Sequence, residues 1–174
     1  VIGNAWTGHS GNWRCQSNYS RAIQTDQKVT VSSATVDVGQ SDQLIVSTYL
    51  SRASRTAAGA GSGVSLLSDN GAPGNLHMYV VYQRGADLVI LGKVDSSGDT
   101  EIASISLLPR RDTMDLVVEI DQPDITIKVD GNTLTIYTMT AGEMATFGSN
   151  TRFGMETDLD RRTRFEWFQI EAMP

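Results

Sequence analysis

The chain has 174 residues, 40% of them hydrophobic and 20% charged, with 14 Lys and Arg against 20 Asp and Glu for a formal net charge of −6. That size predicts a single soluble domain able to bury about two thirds of its unfolded surface, and the acidic balance excludes binding to nucleic acid backbones. No apolar run approaches the roughly 20 residues of a membrane-spanning helix and no signal-peptide pattern opens the chain, so no membrane insertion is expected.

The chain begins at Val1 rather than Met, which suggests a domain processed or cut from a larger protein. Residues 1–20 are rich in Gly, Asn, Ser and Trp and show no hydrophobic period, so they are expected to form a loop-rich lead-in anchored by Trp6 and Trp13. Cys15 is the lone cysteine, which rules out an internal disulfide and leaves the redox compartment open. Residues 21–24 and 29–38 read as strands, then Gly39 to Asp42 as a turn. In 44–50, Leu44, Val46, Thr48 and Leu50 share one face of a strand and Ile45, Ser47 and Tyr49 the other. The small, polar stretch 53–63 suits a mobile loop. Strands are expected again at 63–67, 76–82, 87–94 and 100–107, with dense turn chemistry at 69–74.

The most legible stretch is 115–137. Leu116, Val118 and Ile120 alternate with Val117, Glu119 and Asp121; Ile125, Ile127 and Val129 repeat the pattern, and Leu134 and Ile136 repeat it again. Such alternation marks antiparallel strands with one face on a core and one toward solvent. Gln122-Pro123 and Asp130-Gly131-Asn132 supply the turns between them. One helical turn is plausible at 139–144, and strands at 152–157 and 164–172 close the chain. About twelve strands, with no helical period over 12 residues or more and no linker, predict one all-β domain spanning 1–174, a sandwich or barrel.

The order of these features resembles the concanavalin A-like lectin and glucanase superfamily, which includes laminin G-like domains. The resemblance is carried by Gly11-Asn-Trp13, Gly61-Ser-Gly-Val-Ser-Leu66, Met78-Tyr-Val-Val-Tyr82, Leu88-Val-Ile-Leu-Gly-Lys-Val94, the run from Leu116 through Asp130-Gly131, Phe153-Gly-Met155 and Phe165-Glu-Trp-Phe168-Gln-Ile170. Glu166 stands where an Asp is usual. The resemblance implies an antiparallel two-sheet jelly-roll sandwich. It leaves function open, because lectins, hydrolases, lyases and structural modules share that architecture.

Glu119-Ile-Asp-Gln-Pro-Asp124 is similar to the Glu-x-Asp-x-x-Glu signature of retaining glucanases on this fold, whose carboxylates project from one strand. Here the third acid is Asp124, and Pro123 interrupts a strand that must be continuous, so a solvated face and a turn are expected instead of catalysis. His9 and His77 are the only histidines and no nucleophile elbow exists, which leaves no hydrolytic triad. No cofactor is expected. Asp69-Asn70 and Asp95 with Asp99 offer the hard oxygens a structural Ca²⁺ takes, but ordinary turns look the same.

Sugar recognition needs flat rings beside a few polar groups on an open surface. Tyr79 shares a strand face with His77 and is expected exposed, whereas Tyr82 shares one with Met78 and Val80 and is expected in the core. Trp167 and Phe168 are adjacent, so one must face outward unless a bulge intervenes. The expected ligand-binding set is Tyr79, His77, Arg52, Arg84 and Trp167, on a concave sheet and its rim. The expected function is non-catalytic glycan binding or adhesion in an extracellular, cell-surface or virion protein, with a neutral glycan or another protein surface as partner. The alternatives are a structural domain joining subunits of a virus particle or fibre, itself able to homo-oligomerise, and, last, a glycan-cleaving enzyme.

Overall fold

The computed structural model describes residues 6–8, 13–16, 21–24, 32–52, 61–69, 76–83, 85–109, 111–158 and 163–174. Their strands in the first half are β1 (Trp6–Gly8), β2 (Trp13–Gln16), β3 (Arg21–Gln24), β4 (Ser32–Asp37), β5 (Leu44–Arg52), β6 (Gly61–Ser68) and β7 (His77–Gln83). The second half adds β8 (Leu88–Asp95), β9 (Gly98–Ser106), β10 (Thr113–Asp121), β11 (Asp124–Val129), β12 (Asn132–Thr138), helix α1 (Ala141–Phe147), β13 (Arg152–Asp158) and β14 (Thr163–Ala172). The strands make two seven-stranded antiparallel sheets. The first runs β1-β4-β13-β6-β7-β8-β9 and the second β12-β11-β10-β5-β14-β3-β2. Strands distant in sequence lie side by side, β5 between β10 and β14 and β6 between β13 and β7, so the sandwich closes through long crossings.

The expected alternation builds the core. The β10–β11 register sets Leu116 opposite Val129, Val118 opposite Ile127 and Ile120 opposite Ile125. All six are buried, and they continue into Leu44, Val46, Thr48 and Leu50 of β5. The first sheet answers with Val64, Leu66, Met78, Val80, Tyr82, Val89, Leu91, Phe153 and Met155. Tyr82 is a core ring, as its strand partners implied.

Gln122-Pro123 is the two-residue turn between β10 and β11, with Asp121 paired to Asp124 across it. The Gln122 side chain donates to Ser41 O at 2.7 Å and to Gly148 O at 2.9 Å, which pins the turn to the neighbouring loops. Glu119 and Asp124 therefore stand on opposite arms of a hairpin. Glu119 accepts from Lys128, and Asp124 accepts from Thr138 at 2.6 Å.

Three expectations are corrected. Residues 6–8 and 13–16, expected as loop, are short strands at the outer limits of the two sheets, where they pair with β4 and β3. Ile136 does not join the core: the β11–β12 register shifts between Ile127 and Lys128, leaving Leu134 as the extra residue. That bulge turns the next residues over, so Ile136 sits opposite outward-facing Thr126 at 63% exposure and Tyr137 faces in. The loop expected at 53–63 gives way to β6 at Gly61, and residues 53–60 lie outside the described residues.

Gly63 and Gly154 allow the centre of the first sheet to close. A methyl at Gly63 would lie 2.0 Å from Val80 O, and one at Gly154 would lie 1.9 Å from Ala34 O. Both obstacles are backbone, so neither can swing aside. Gly63→Ala is expected to cost about 1–3 kcal/mol by forced separation of β6 from β7. Urea denaturation measures it, and an unchanged midpoint would contradict the close approach.

Helix α1 is fastened by a buried carboxylate. Thr140 is its N-cap, and Glu143 completes a reciprocal capping box with it. The same carboxylate accepts from Tyr137 OH at 2.6 Å, Thr140 N at 2.9 Å and Lys93 Nζ at 3.1 Å. Burial pushes the Glu143 carboxyl up, but these hydrogen bonds outweigh it and hold the group at about 2. Burial, together with the Glu143 charge, pushes the Tyr137 hydroxyl up to about 12.

Candidate functional site

The outward face of the first sheet carries His77 and Tyr79 of β7, with ring centroids 6.1 Å apart. Alternation placed them on this face correctly, but the expected exposure of Tyr79 is overturned: it is 8% exposed. Its ring lies over Gly92, where an added methyl would come within 2.3 Å of the ring. Its hydroxyl donates to Asp99 Oδ1 at 2.6 Å. Val81 and Ile90 pack beside it, flanked by Leu88 and Val94, so this face holds a satellite apolar cluster of its own. His77, only 3% exposed, has Nε2 3.2 Å from Glu156 Oε2, and Glu156 is buried. The two rings do not form an open platform.

The remaining expected residues are Arg52, Arg84 and Trp167. Arg84 falls outside the described residues. Arg52 ends β5 in the second sheet, paired in register with Thr163, and its side chain is outside what is described. Of the expected set, the described side chains His77 and Tyr79 share one face of the first sheet, and Trp167 does not join them. Trp167 belongs to the second sheet and faces the opposite side of the sandwich from Tyr79.

The register of β14 against β5 shifts between Phe165 and Trp167. Phe165 packs in the core, Phe168 and Ile170 pack against it, and Trp167, Gln169 and Glu171 turn outward. Trp167 is 42% exposed. Its cross-strand partner is Tyr49, half-buried, and the partner of Tyr49 on the far side is Asp115. Two residues along, about 7 Å away, the next row is Gln169, Ser47 and Val117, and the row beyond it is Glu171, Ile45 and Glu119. Thr48 Oγ1 donates to Trp167 O at 2.7 Å and holds the bulged backbone in place. Ser51 Oγ donates to Glu166 and Gln169 Nε2 donates to Glu171.

This arrangement puts two rings on a sheet surface beside an amide and several carboxylates. Rings offer a flat apolar body, and amides and carboxylates fix the direction of hydroxyls. Among the residues whose side chains are described, the acids Glu166, Glu171, Asp115 and Glu119 outnumber Lys128 and Arg164 on this sheet, which disfavours an anionic ligand. Tyr49 and Gln169 were not among the expected site residues. The outward direction of Tyr49 was visible in the 44–50 alternation, but its pairing with Trp167 rests on a register set by the bulge in β14.

Asn70 lies outside the described residues, and the carboxylates of Asp95 and Asp99 are engaged by hydrogen bonds within the protein. Asp95 Oδ1 accepts from Ser97 N at 2.8 Å and from Ser97 Oγ, and Asp99 accepts from Tyr79. No group of three or more His, Cys, Asp or Glu side chains is placed to hold a metal ion among the described residues. Among those residues, too, no helix is long and apolar enough to cross a membrane.

No protein-family model and no curated protein matches this sequence. Solved structures do match in shape. A carbohydrate-binding module, CBM66 from Bacillus subtilis, superposes with a TM-score of 0.71 at 17% identity, over 97% of this chain and 96% of that one. The chain shares its fold. Sheep galectin-11 superposes with a TM-score of 0.59 at 8% identity, over 79% of this chain and 96% of the galectin. A family 7 alginate lyase in complex with product gives 0.60 at 7% identity, over 94% and 84%. The all-β jelly-roll sandwich expected from sequence is thus the observed fold, and at these identities the likeness extends to fold alone.

Proposed function

We propose that this chain is a non-catalytic glycan-binding module of the concanavalin A-like superfamily, and that Trp167 and Tyr49 form its sugar-contacting platform. The observation that carries this is Trp167 itself, held outward by the β14 bulge at 42% exposure beside a second ring. A large ring left part-exposed on a sheet face offers a flat apolar surface that a pyranose face can cover. The neighbouring carbohydrate-binding module and galectin folds support the ligand class. The local acidity favours a neutral glycan, and an extracellular or surface location goes with that reading. The division of Glu119 and Asp124 across a hairpin supports binding without hydrolysis. Trp167→Ala is expected to weaken glycan affinity about tenfold or more, with no change in melting temperature. A glycan array followed by calorimetric titration measures both, and unchanged affinity in the variant would remove the platform.

A second reading, a domain that joins subunits, is favoured by the exposure of two large aliphatic residues, Leu108 and Ile136. Sedimentation over a concentration series distinguishes it: self-association lost in Ile136→Thr would favour assembly.

A further inference from the structure

An open groove of about 280 Å³ lies at one end of the first sheet, where β4 and β6 end and β13 begins. Asp37, Asp69, Asn150, Thr151 and Arg152 are among its walls, and hydrophilic surface exceeds apolar surface across it. It lies away from the Trp167 platform, which belongs to the second sheet. We propose that this groove is a second, separate binding site that takes a single neutral sugar residue or a similar small polyol through its hydroxyls. The proposal rests on the glycan-binding reading for the class of ligand and on the groove's own geometry for the site.

The walls are fixed before any ligand arrives. Asp37 Oδ1 accepts from Thr151 Oγ1 at 2.7 Å and from Gly39 N at 3.0 Å, while Val38 N donates to Thr151 O at 3.0 Å. Asn150 Nδ2 donates to Leu67 O at 3.0 Å, and Asn150 N donates to Phe147 O at 2.9 Å. Arg152 Nε donates to the hydroxyl of fully buried Thr35 at 3.2 Å, which anchors the base of the guanidinium. Rigid polar walls lower the ordering cost of binding.

The decisive distance is between Asp37 Oδ2 and Arg152 Nη1, which stand 4.0 Å apart. That gap exceeds hydrogen-bond length, yet one oxygen placed between the two atoms reaches both. Such an oxygen must accept from the guanidinium and donate to the carboxylate. A hydroxyl does both at once, whereas a carboxylate or phosphate oxygen meets Asp37 as a like charge. The Asp37 carboxyl is held below its usual range, chiefly by the Thr151 hydrogen bond and then by Gly39 N, so it remains an acceptor at neutral pH. The volume lies near the lower end of small-ligand sites, about 300 Å³, and suits one ring rather than a chain.

The test is a titration of the intact chain with methyl α-mannopyranoside and methyl β-glucopyranoside, followed by amide chemical shifts. Asp37→Asn keeps the oxygen that binds Thr151 and Gly39 but exchanges the outward acceptor for a donor, so folding is retained and recognition is reversed. The expected result is saturable shifts at residues 37–39 and 149–152, an affinity about tenfold or more weaker in Asp37→Asn, and the same shifts persisting in Trp167→Ala. Shifts confined to Trp167 and Tyr49, no groove shifts with either glycoside at the highest soluble concentration, or equal affinity in Asp37→Asn would each overturn the groove. Groove failure with glycan still lost on Trp167→Ala leaves the platform standing, and groove shifts with no effect of Trp167→Ala on any glycan remove the platform instead.

Discussion

Replacing Ile127 with Ala is expected to lower the folding free energy by about 2–5 kcal/mol. Ile127 is fully buried at the middle of β11, opposite Val118 and between Ile125 and Val129 on the same inward face. The cavity left behind cannot close by a simple shift of the strand. On one side β10 is fixed to both β11 and β5, and on the other the bulge at Leu134 sets the register of β12. The residual void therefore adds to the lost transfer energy, which places the cost well above that of a surface change. Thr126→Ala, one residue away on the outward face, is the control and should cost less than about 0.5 kcal/mol. Urea denaturation of both variants measures the difference. Equal small effects would mean that β11 sits one residue out of register, with its apolar set turned to solvent.

That face was readable from sequence because each strand of 115–129 keeps an unbroken two-residue period between turn residues with fixed chemistry. Pro123 cannot extend a ladder, and the turn between β11 and β12 needs positive φ, which Asp130 and Gly131 adopt at 48° and 79°. The period fails where geometry depends on a distant partner. Ile136 continues the written pattern, yet the register shift opposite Ile127 and Lys128 reverses its face. Tyr79 was assigned to the correct face but not to the correct environment. Alternation reports direction, and burial on an outward face depends on what a neighbouring strand offers, here the bare surface of Gly92 and the carboxylate of Asp99. The strands β1 and β2 have three and four residues, too short for a period to show. Trp167 was visible as a candidate, but the bulge that turns it outward and the Tyr49 that accompanies it come from pairing between strands far apart in the chain. The groove beside Asp37 joins three separate segments and left no local signal.

Removing the Glu143 carboxylate is expected to cost about 2–4 kcal/mol at neutral pH, because several part-buried donors lose their buried acceptor together. Tyr137 OH, Thr140 N and Lys93 Nζ all converge on it, and they belong to β12, the helix cap and β8. One group thus ties α1 to both sheets. The pH dependence follows from the direction of its shift. The folded carboxyl sits at about 2, below the ordinary glutamate value near 4.5, so the folded state binds the proton less readily than the unfolded chain does. The stability this group supplies is complete above roughly pH 4.5 and is lost as pH falls toward 2, with a span on the order of 3 kcal/mol. Tyr137 acts at the other end of the scale. Its hydroxyl is raised to about 12, so its contribution is present below pH 10 and fades as pH rises through 12. Glu143→Gln keeps the shape of the side chain and removes the charge. The gap in stability between the native chain and this variant should be largest near pH 6 to 9 and should narrow as the acid limit is approached. Chemical denaturation at pH 7, 4 and 3 follows it, and a gap that stays constant across that range would show that the carboxylate is not held in its charged form by these donors.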